Sequence, residues 1–338
     1  MAAVSGIDPA RKIRLYIENT QGRPPVYWIT EAIYAEGIAR HLEAAAHLDT
    51  TIAFDTEGRD DVLAEAEVVI GAKLDVKRVA RVARRLRWVH STSAGVENLY
   101  PFDWLPQGAV LTNSSGIHAP KAREFAMLAL LMLNDQMPLH MTHQREHRWE
   151  RVYSTPVAGK TAVIIGVGNL GTAVGRGAKH LGLRVIGVDL DTSHREPVDE
   201  MVPPSALHEV LPQADFVLVC APLTPATRGL IGAEELDLLK PTAGFLNMGR
   251  APVVDYEALV ERLDTGKIAG AVLDVFYQEP LPFESPLWGT RNLIIMPHVS
   301  ADDAARYSLN AIEVFLDNVP RYLRGEALRN RVDLEKAY

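Results

Sequence analysis

The segment Thr161-Ala-Val-Ile-Ile-Gly-Val-Gly-Asn-Leu-Gly-Thr constrains this chain more than any other. A β-rich apolar run enters a turn carrying Gly166-x-Gly168-x-x-Gly171, and a helical stretch leaves it. Three glycines in that register carry meaning only between a strand and a helix, and both flanks are present here. Gly166 permits the tight turn, Gly168 lets backbone approach a pyrophosphate, and Gly171 lets the helix pack closely on the strand. The amides of Asn169 and Leu170 then meet an anion at the positive end of the helix. Asp189 closes the next strand, 18 residues beyond Gly171, where an acid hydrogen-bonds the ribose hydroxyls of a dinucleotide. Asp191 adds a second carboxylate that repels a 2′-phosphate, so NAD is favoured over NADP. Arg195 keeps NADP as the alternative.

The same kind of run recurs at Val163–Gly166, Arg184–Asp189, Asp215–Cys220, Gly244–Asn247, Ala269–Val275 and Leu293–Met296. Short apolar runs without alternation suit strands buried on both faces, hence a parallel sheet flanked by helices. Six of them make a doubly wound, Rossmann-type α/β domain. The first part of the chain repeats the alternation more weakly: strands at Ile13–Ile17, Val68–Ile70 and Leu86–His90, helices at Glu31–Ala46 and Val76–Arg85. This predicts a second, smaller, flavodoxin-like α/β substrate domain. A helix from Ala304 to Leu323 is expected to pack back on it. The smaller domain is then discontinuous, residues 1–116 with 300–338, around a dinucleotide domain at 117–299. Pro120 to Gln136 reads as a long apolar helix suited to interdomain or subunit packing.

At roughly 150 residues per domain, 338 residues also favour two domains. A balance of 35 Lys+Arg against 43 Asp+Glu offers no basic domain, so a nucleic-acid partner is not expected. The longest apolar run, Phe125 to Leu133, is far short of the roughly 20 residues of a membrane span. Met1 to Pro9 has no basic segment leading into an apolar one, so no secretory leader is expected. Cys220 is the only cysteine; it reads as a core residue and fits a reducing, cytoplasmic setting. His140, His143 and His147 are spaced to share one helical face. With no His-Glu-x-x-His order and no cysteine beside them, they are read as a polar helix end, and no metal is expected. Lys77, Arg78, Arg81, Arg84, Arg85 and Arg87 interleave with apolar residues at helical spacing and read as a mostly solvated face. His118, near the crossing between the two domains, is expected to serve a hinge without chemistry.

Three further residues follow predicted strands of the larger sheet: Arg250, Glu279 and His298. Ligands of doubly wound sheets lie beyond the carboxyl ends of the strands, so all three are candidates for one pocket. Arg offers a planar fork of donors to a carboxylate or developing alkoxide. His exchanges a proton with a hydroxyl, and a carboxylate on its imidazole orients it and raises its pKa.

In these residues and their surroundings the chain resembles the D-isomer-specific 2-hydroxyacid dehydrogenase family, in its glyoxylate/hydroxypyruvate reductase-like form. The matching segments are Ser91-Thr-Ser-Ala-Gly-Val-Glu-Asn-Leu, the Gly166 fingerprint, Cys220-Ala-Pro-Leu-Thr-Pro-Ala-Thr-Arg, Leu246-Asn-Met-Gly-Arg-Ala-Pro, Leu273-Asp-Val-Phe-Tyr-Gln-Glu-Pro and Met296-Pro-His-Val-Ser. The resemblance implies NAD-dependent interconversion of a 2-oxo acid and a D-2-hydroxy acid, with Arg250, Glu279 and His298 as the catalytic trio. It implies that Ala94 and Gly95 amides hold the substrate carboxylate, together with Arg250 and His298. Ala221, Pro222 and Thr227 would line the adenosine side, and Met248, Gly249, Arg250 and Asp274 the nicotinamide end. It further implies a homodimer, with Trp149 a candidate to reach a pocket edge across it. Glyoxylate and hydroxypyruvate rank first as substrates. The sequence departs from the pattern at Glu97, where Asp is frequent, and at Ala251 and Ala301, where Gly is usual. The competing readings are an NAD-sensing binding protein and a relative that oxidises another donor, such as phosphite or formate.

Overall fold

The computed structural model describes residues 11–335; the N-terminal stretch read above for a leader lies outside them. The chain divides into two compact units, Met1–Ile117 with Asp303–Tyr338, and His118–Asp302.

The first unit holds a five-stranded sheet of β1 (Ile13–Asn19), β2 (Leu48–Phe54), β3 (Val68–Ile70), β4 (Trp88–Ser91) and β5 (Val110–Asn113), ordered β2-β1-β3-β4-β5 and parallel throughout. That order is flavodoxin-like, with its switch point between β1 and β3. Alternate residues serve opposite faces. Tyr16, Val69, Val89 and Leu111 enter one core, while Leu15, Ile17, Val68, Ile70 and Trp88 enter another with Ile312, Phe315 and Leu316. The last three sit on helix Tyr307–Leu323, which also packs on helix Glu31–Arg40. Trp88 stacks on Phe315 at 4.6 Å between ring centroids.

Beside the unread edge strands β2 and β5, three details differ from the sequence reading. The helix expected over Glu31–Ala46 breaks at His41 into Glu31–Arg40 and Leu42–Ala45. The helix of the basic stretch ends at Val82. Arg78 on that helix is not solvated: its side chain is 13% exposed, and it pairs with buried Glu18 and with Asp60. Burial of Glu18 among apolar strands demands a cation, and the adjacent helix supplies it.

The second unit holds a seven-stranded parallel sheet of β6 (Thr161–Ile165), β7 (Arg184–Val188), β8 (Glu200–Val202), β9 (Phe216–Val219), β10 (Gly244–Asn247), β11 (Gly270–Leu273) and β12 (Leu293–Ile295). Their order is β12-β11-β10-β9-β6-β7-β8. The sequence reading counted six; the seventh, β8, adds to the β7 edge. Val163, Ile165, Val217 and Val219 point into one core and Ala162, Ile164, Phe216 and Leu218 into the other. This two-sided burial is why the strands read as unbroken apolar runs. Helix Ala119–Asn134 covers the second face, packed on helix Asn169–His180. Among the described residues no helix is long and apolar enough to cross a membrane.

Candidate functional site

The chain reverses its direction of winding at β6, which lies between β7 and β9. The Gly166 loop leaves β6 at that switch point, where doubly wound sheets open a crevice. Gly166 has φ +88°, and a Cβ there would lie 2.5 Å from the Ala221 Cα. A Cβ on Gly171 would lie 2.0 Å from the Gly166 carbonyl oxygen, so the turn and the helix touch backbone to backbone. At Gly168 a Cβ would meet nothing within 4 Å. The loop is packed on its inner side and open on its outer one, with a 12-residue helix starting at Asn169. Leu170 lies in its first turn. These residues fit a dinucleotide pyrophosphate: bare backbone, open space and a helix N-terminus coincide.

Asp189 follows β7 and accepts a hydrogen bond from the Val167 amide at 2.7 Å. It also accepts from the Asp191 amide at 3.2 Å, so its carboxylate is fixed against the glycine loop. Arg195 donates to the Val167 carbonyl at 2.9 Å and pairs with Asp191. Past β9, Thr227 Oγ1 donates to the Pro222 carbonyl at 2.7 Å, closing the loop that Ala221 begins. Met248 and Gly249 follow β10; a Cβ on Gly249 would lie 2.7 Å from the Ala221 carbonyl.

His298 Nδ1 lies 2.7 Å from Glu279 Oε2, and the other carboxylate oxygen accepts the Phe276 amide at 2.9 Å. The Glu279 hydrogen bond pushes the His298 pKa up, against the opposing effects of burial and Arg250. Burial pushes Glu279 up, but the bond to His298 and the Phe276 amide hold it below the usual carboxylate range. The two shifts agree: the pair is stabilised as imidazolium and carboxylate. Arg250 contributes a repulsive charge to His298 and an attractive one to Glu279, and its Nη1 donates to the Gly249 carbonyl at 2.8 Å.

Sequence reasoning named Asp274 only for the nicotinamide end and missed both its hold on the backbone after His298 and the part played by Asn247. His298 has φ +54°, a left-handed conformation uncommon outside glycine. Buried Asp274, at the end of β11, accepts from the Val299 amide (3.0 Å), the Ser300 amide (3.1 Å) and the Ser300 hydroxyl (2.6 Å). Burial raises the Asp274 pKa, and the Ser300 hydroxyl opposes it. Asn247, fully buried, accepts from the Gly249 amide and donates to the Arg250 carbonyl and Tyr256 hydroxyl. A polar side chain ending an apolar strand was the available signal for Asn247.

Ala94 and Gly95 belong to the first unit, on the half-exposed loop after β4. Asn113 donates to the Ala94 carbonyl at 2.7 Å. His140 and His143 lie on helix Met137–Arg145, but His147 lies beyond its end with φ +53°, so the three do not share one helical face. His143 is buried rather than part of a polar helix end. Cys220 is buried, and burial pushes its thiol up to about 12.

The family model for the D-isomer specific 2-hydroxyacid dehydrogenase NAD binding domain matches residues 127–300. A glyoxylate reductase of Korarchaeum cryptofilum is 33% identical over 266 residues, 76% of this chain and 79% of that protein. A D-isomer specific 2-hydroxyacid dehydrogenase from Xanthobacter autotrophicus, solved with NADPH and MES, superimposes with TM-score 0.82 at 30% identity, covering 96% of this chain and 99% of that one. An NADPH-dependent glyoxylate/hydroxypyruvate reductase from Sinorhizobium meliloti, solved with NADP and sulfate, gives TM-score 0.80 at 25% identity, covering 96% and 99%. The fingerprint at the switch point, the order of both sheets and these likenesses agree: the chain is an oxidoreductase with an NAD-binding domain, and it belongs to the D-isomer specific 2-hydroxyacid dehydrogenase family.

Proposed function

We propose that this protein reduces a small 2-oxo acid to its D-2-hydroxy acid with NADH, with glyoxylate and hydroxypyruvate as the first substrates to try. The observation that carries the reading is the 2.7 Å contact between His298 and Glu279, beside Arg250 and on the same sheet as the dinucleotide cradle. A nicotinamide dinucleotide in that cradle supplies the hydride delivered to the carbonyl carbon. His298 gives its proton to the carbonyl oxygen, and with Nδ1 engaged by Glu279 the donating nitrogen is Nε2. Glu279 keeps the imidazole charged toward neutral pH and fixes its ring. Arg250 draws the carboxylate and polarises the carbonyl through a fork of donors. In the oxidative direction the same imidazole, neutral, takes the hydroxyl proton. A hydroxyl proton to transfer is what distinguishes this chemistry from formate oxidation, which has none.

For the cofactor, Asp189, Ala221, Pro222, Thr227, Met248, Gly249 and Asp274 are proposed as its contacts beside the glycine loop. Asp189 supports NAD, because its fixed carboxylate repels a 2′-phosphate. Arg195 is engaged by Asp191 and would have to leave it to serve NADP. The NADP-bound relatives make this the point to measure. Ala94 and Gly95 are proposed as substrate-carboxylate donors, and the smaller unit as the substrate domain, on the family resemblance. A homodimer is proposed from the exposed apolar side chains of Leu128, Leu131, Met137, Met141 and Trp149. A cytoplasmic setting is proposed from the single buried thiol.

Loss of NADH absorbance against a panel of 2-oxo acids, with NADPH in parallel, tests the reading. Turnover abolished in His298→Ala supports it. Turnover with NADPH alone refutes the role of Asp189. Tight NADH binding without turnover of any acid would replace the reductase by an NAD sensor.

A further inference from the structure

His118 stands outside the machinery described so far. It is the first residue of the second unit, and Asp302 is the last. Its imidazole is 18% exposed, with Nδ1 3.2 Å from the Ala301 carbonyl oxygen and 3.5 Å from the Asp302 carboxylate. Helix Ala119–Asn134 begins at the next residue, so the ring is mounted on the start of a long packed element.

The partner matters because Ala301 ends the segment that carries His298. Left-handed backbone at a residue other than glycine is disfavoured and persists only where its surroundings over-determine it. Asp274 fastens the middle of the segment at Val299 and Ser300. His118 fastens its far end through the Ala301 carbonyl. The Ala301 methyl, at a position where the family resemblance leads one to expect Gly, packs against the core beneath the same helix. Two polar anchors and one apolar contact therefore converge on the four residues from His298 to Ala301.

We propose that His118 is a positioning residue: its Nδ1–H holds the Ala301 carbonyl and thereby keeps the His298 loop in the left-handed form that seats His298 on Glu279. The proposal rests on the reading of His298 as the proton donor. The charged and titratable groups facing His118 are Asp302, Arg250 and His298. Burial pushes its pKa down, and Arg250 and His298 push the same way against Asp302 and the Ala301 carbonyl. It thus serves as a neutral donor. A lysine here would place a third cation beside Arg250 and His298 and disfavour the proton that His298 must carry.

The test uses the full-length protein as wild type, His118→Ala and His118→Asn. The Asn amide nitrogen stands close to where Nδ1 stood, so Asn keeps the donor and removes the titration. The readouts are the His298 imidazole pKa by NMR (assigned with His298→Gln), the NADH dissociation constant and the pH profile of kcat. The Ala variant is expected to lower the His298 pKa toward its ordinary value. It should reduce kcat on the order of 10²-fold, the scale of a misplaced catalytic group, with NADH affinity kept. Asn should restore both the titration and kcat. An unchanged His298 titration in His118→Ala overturns the proposal. So does a joint loss of NADH affinity, thermal stability and kcat that Asn does not rescue. Should even the wild type turn over no 2-oxo acid, the reductase reading fails, while the His298 titration still decides the role of His118.

Discussion

Acidification should loosen the first unit through one residue, His90. It lies fully buried on β4, and burial lowers its pKa from 6.5 to about 4. Its two nitrogens are committed: Nδ1 lies 2.8 Å from the Thr112 hydroxyl, which also accepts from the Trp88 indole, and Nε2 lies 3.2 Å from the Ser114 hydroxyl and 3.3 Å from the Ala311 carbonyl. That pattern fits a neutral ring protonated at Nε2, with Nδ1 accepting from Thr112. A folded-state pKa below the unfolded one means that the unfolded chain takes up a proton the folded one refuses. Stability is therefore intact above about pH 6.5 and falls as the pH drops toward the folded pKa. The loss is about 2 kcal/mol at roughly pH 5 and about 3 kcal/mol by roughly pH 4. Because Ala311 sits on helix Tyr307–Leu323, the weakening should reach the packing of that helix on the sheet. Hydrogen exchange followed by mass spectrometry, on peptides from β1, β4 and that helix, reads the unit separately from its neighbour. Wild type should lose protection between neutral pH and about pH 4 by the stated amount, whereas His90→Gln, less stable at neutral pH, should show a profile flatter by the same amount. Parallel losses in the two proteins would refute the argument and shift the cause to the carboxylates.

Three other outcomes follow from distances and charges at single sites. Replacing Glu279 by Gln removes the charge that raises the His298 pKa, so the reductive pH–rate profile should shift to lower pH. kcat/KM near neutrality should then fall on the order of 10²-fold, in the range of general acid catalysis, with NADH affinity unchanged by fluorescence titration. Gly171→Ala puts a methyl 2.0 Å from the Gly166 carbonyl; NADH binding should be lost in calorimetry while Gly168→Ala, where a Cβ meets nothing, still folds. Arg78→Ala leaves buried Glu18 without its cation, and urea denaturation should show a loss of about 3–5 kcal/mol, as for broken buried pairs.

The dinucleotide unit was the more legible of the two, and the reason is burial. Strands β6, β9, β10 and β11 carry side chains into two cores at once, so they appear in sequence as apolar runs bounded by glycine and polar punctuation. Three strands escaped the sequence reading: β2, β5 and β8. Each lies at the edge of its sheet. β2, with Asp49, Thr50 and Thr51, and β8, with Glu200, are half-exposed, and their polar residues leave no apolar run to detect. A turn fingerprint is local chemistry, so the tight turn at Gly166 and the close helix packing at Gly171 could be read from the glycines together with the strand before them and the helix after.

What no spacing reveals is which distant residue completes a local one. Arg78 was read as solvated because its helix alternates in sequence; only the fold sets buried Glu18, from a strand 60 residues earlier, against it. The sequence by itself determined the doubly wound class, the glycine turn between β6 and its helix, and the charged residues offered at the strand ends. The tertiary structure decided that Glu279 meets His298, that Asp274 fixes the backbone after His298 and Asn247 that of Gly249 and Arg250, and that His118 reaches a carbonyl 183 residues away. Hydrophobic periodicity is a property of neighbours along the chain, whereas a hydrogen bond between loops depends on the register and packing of the whole sheet that carries them.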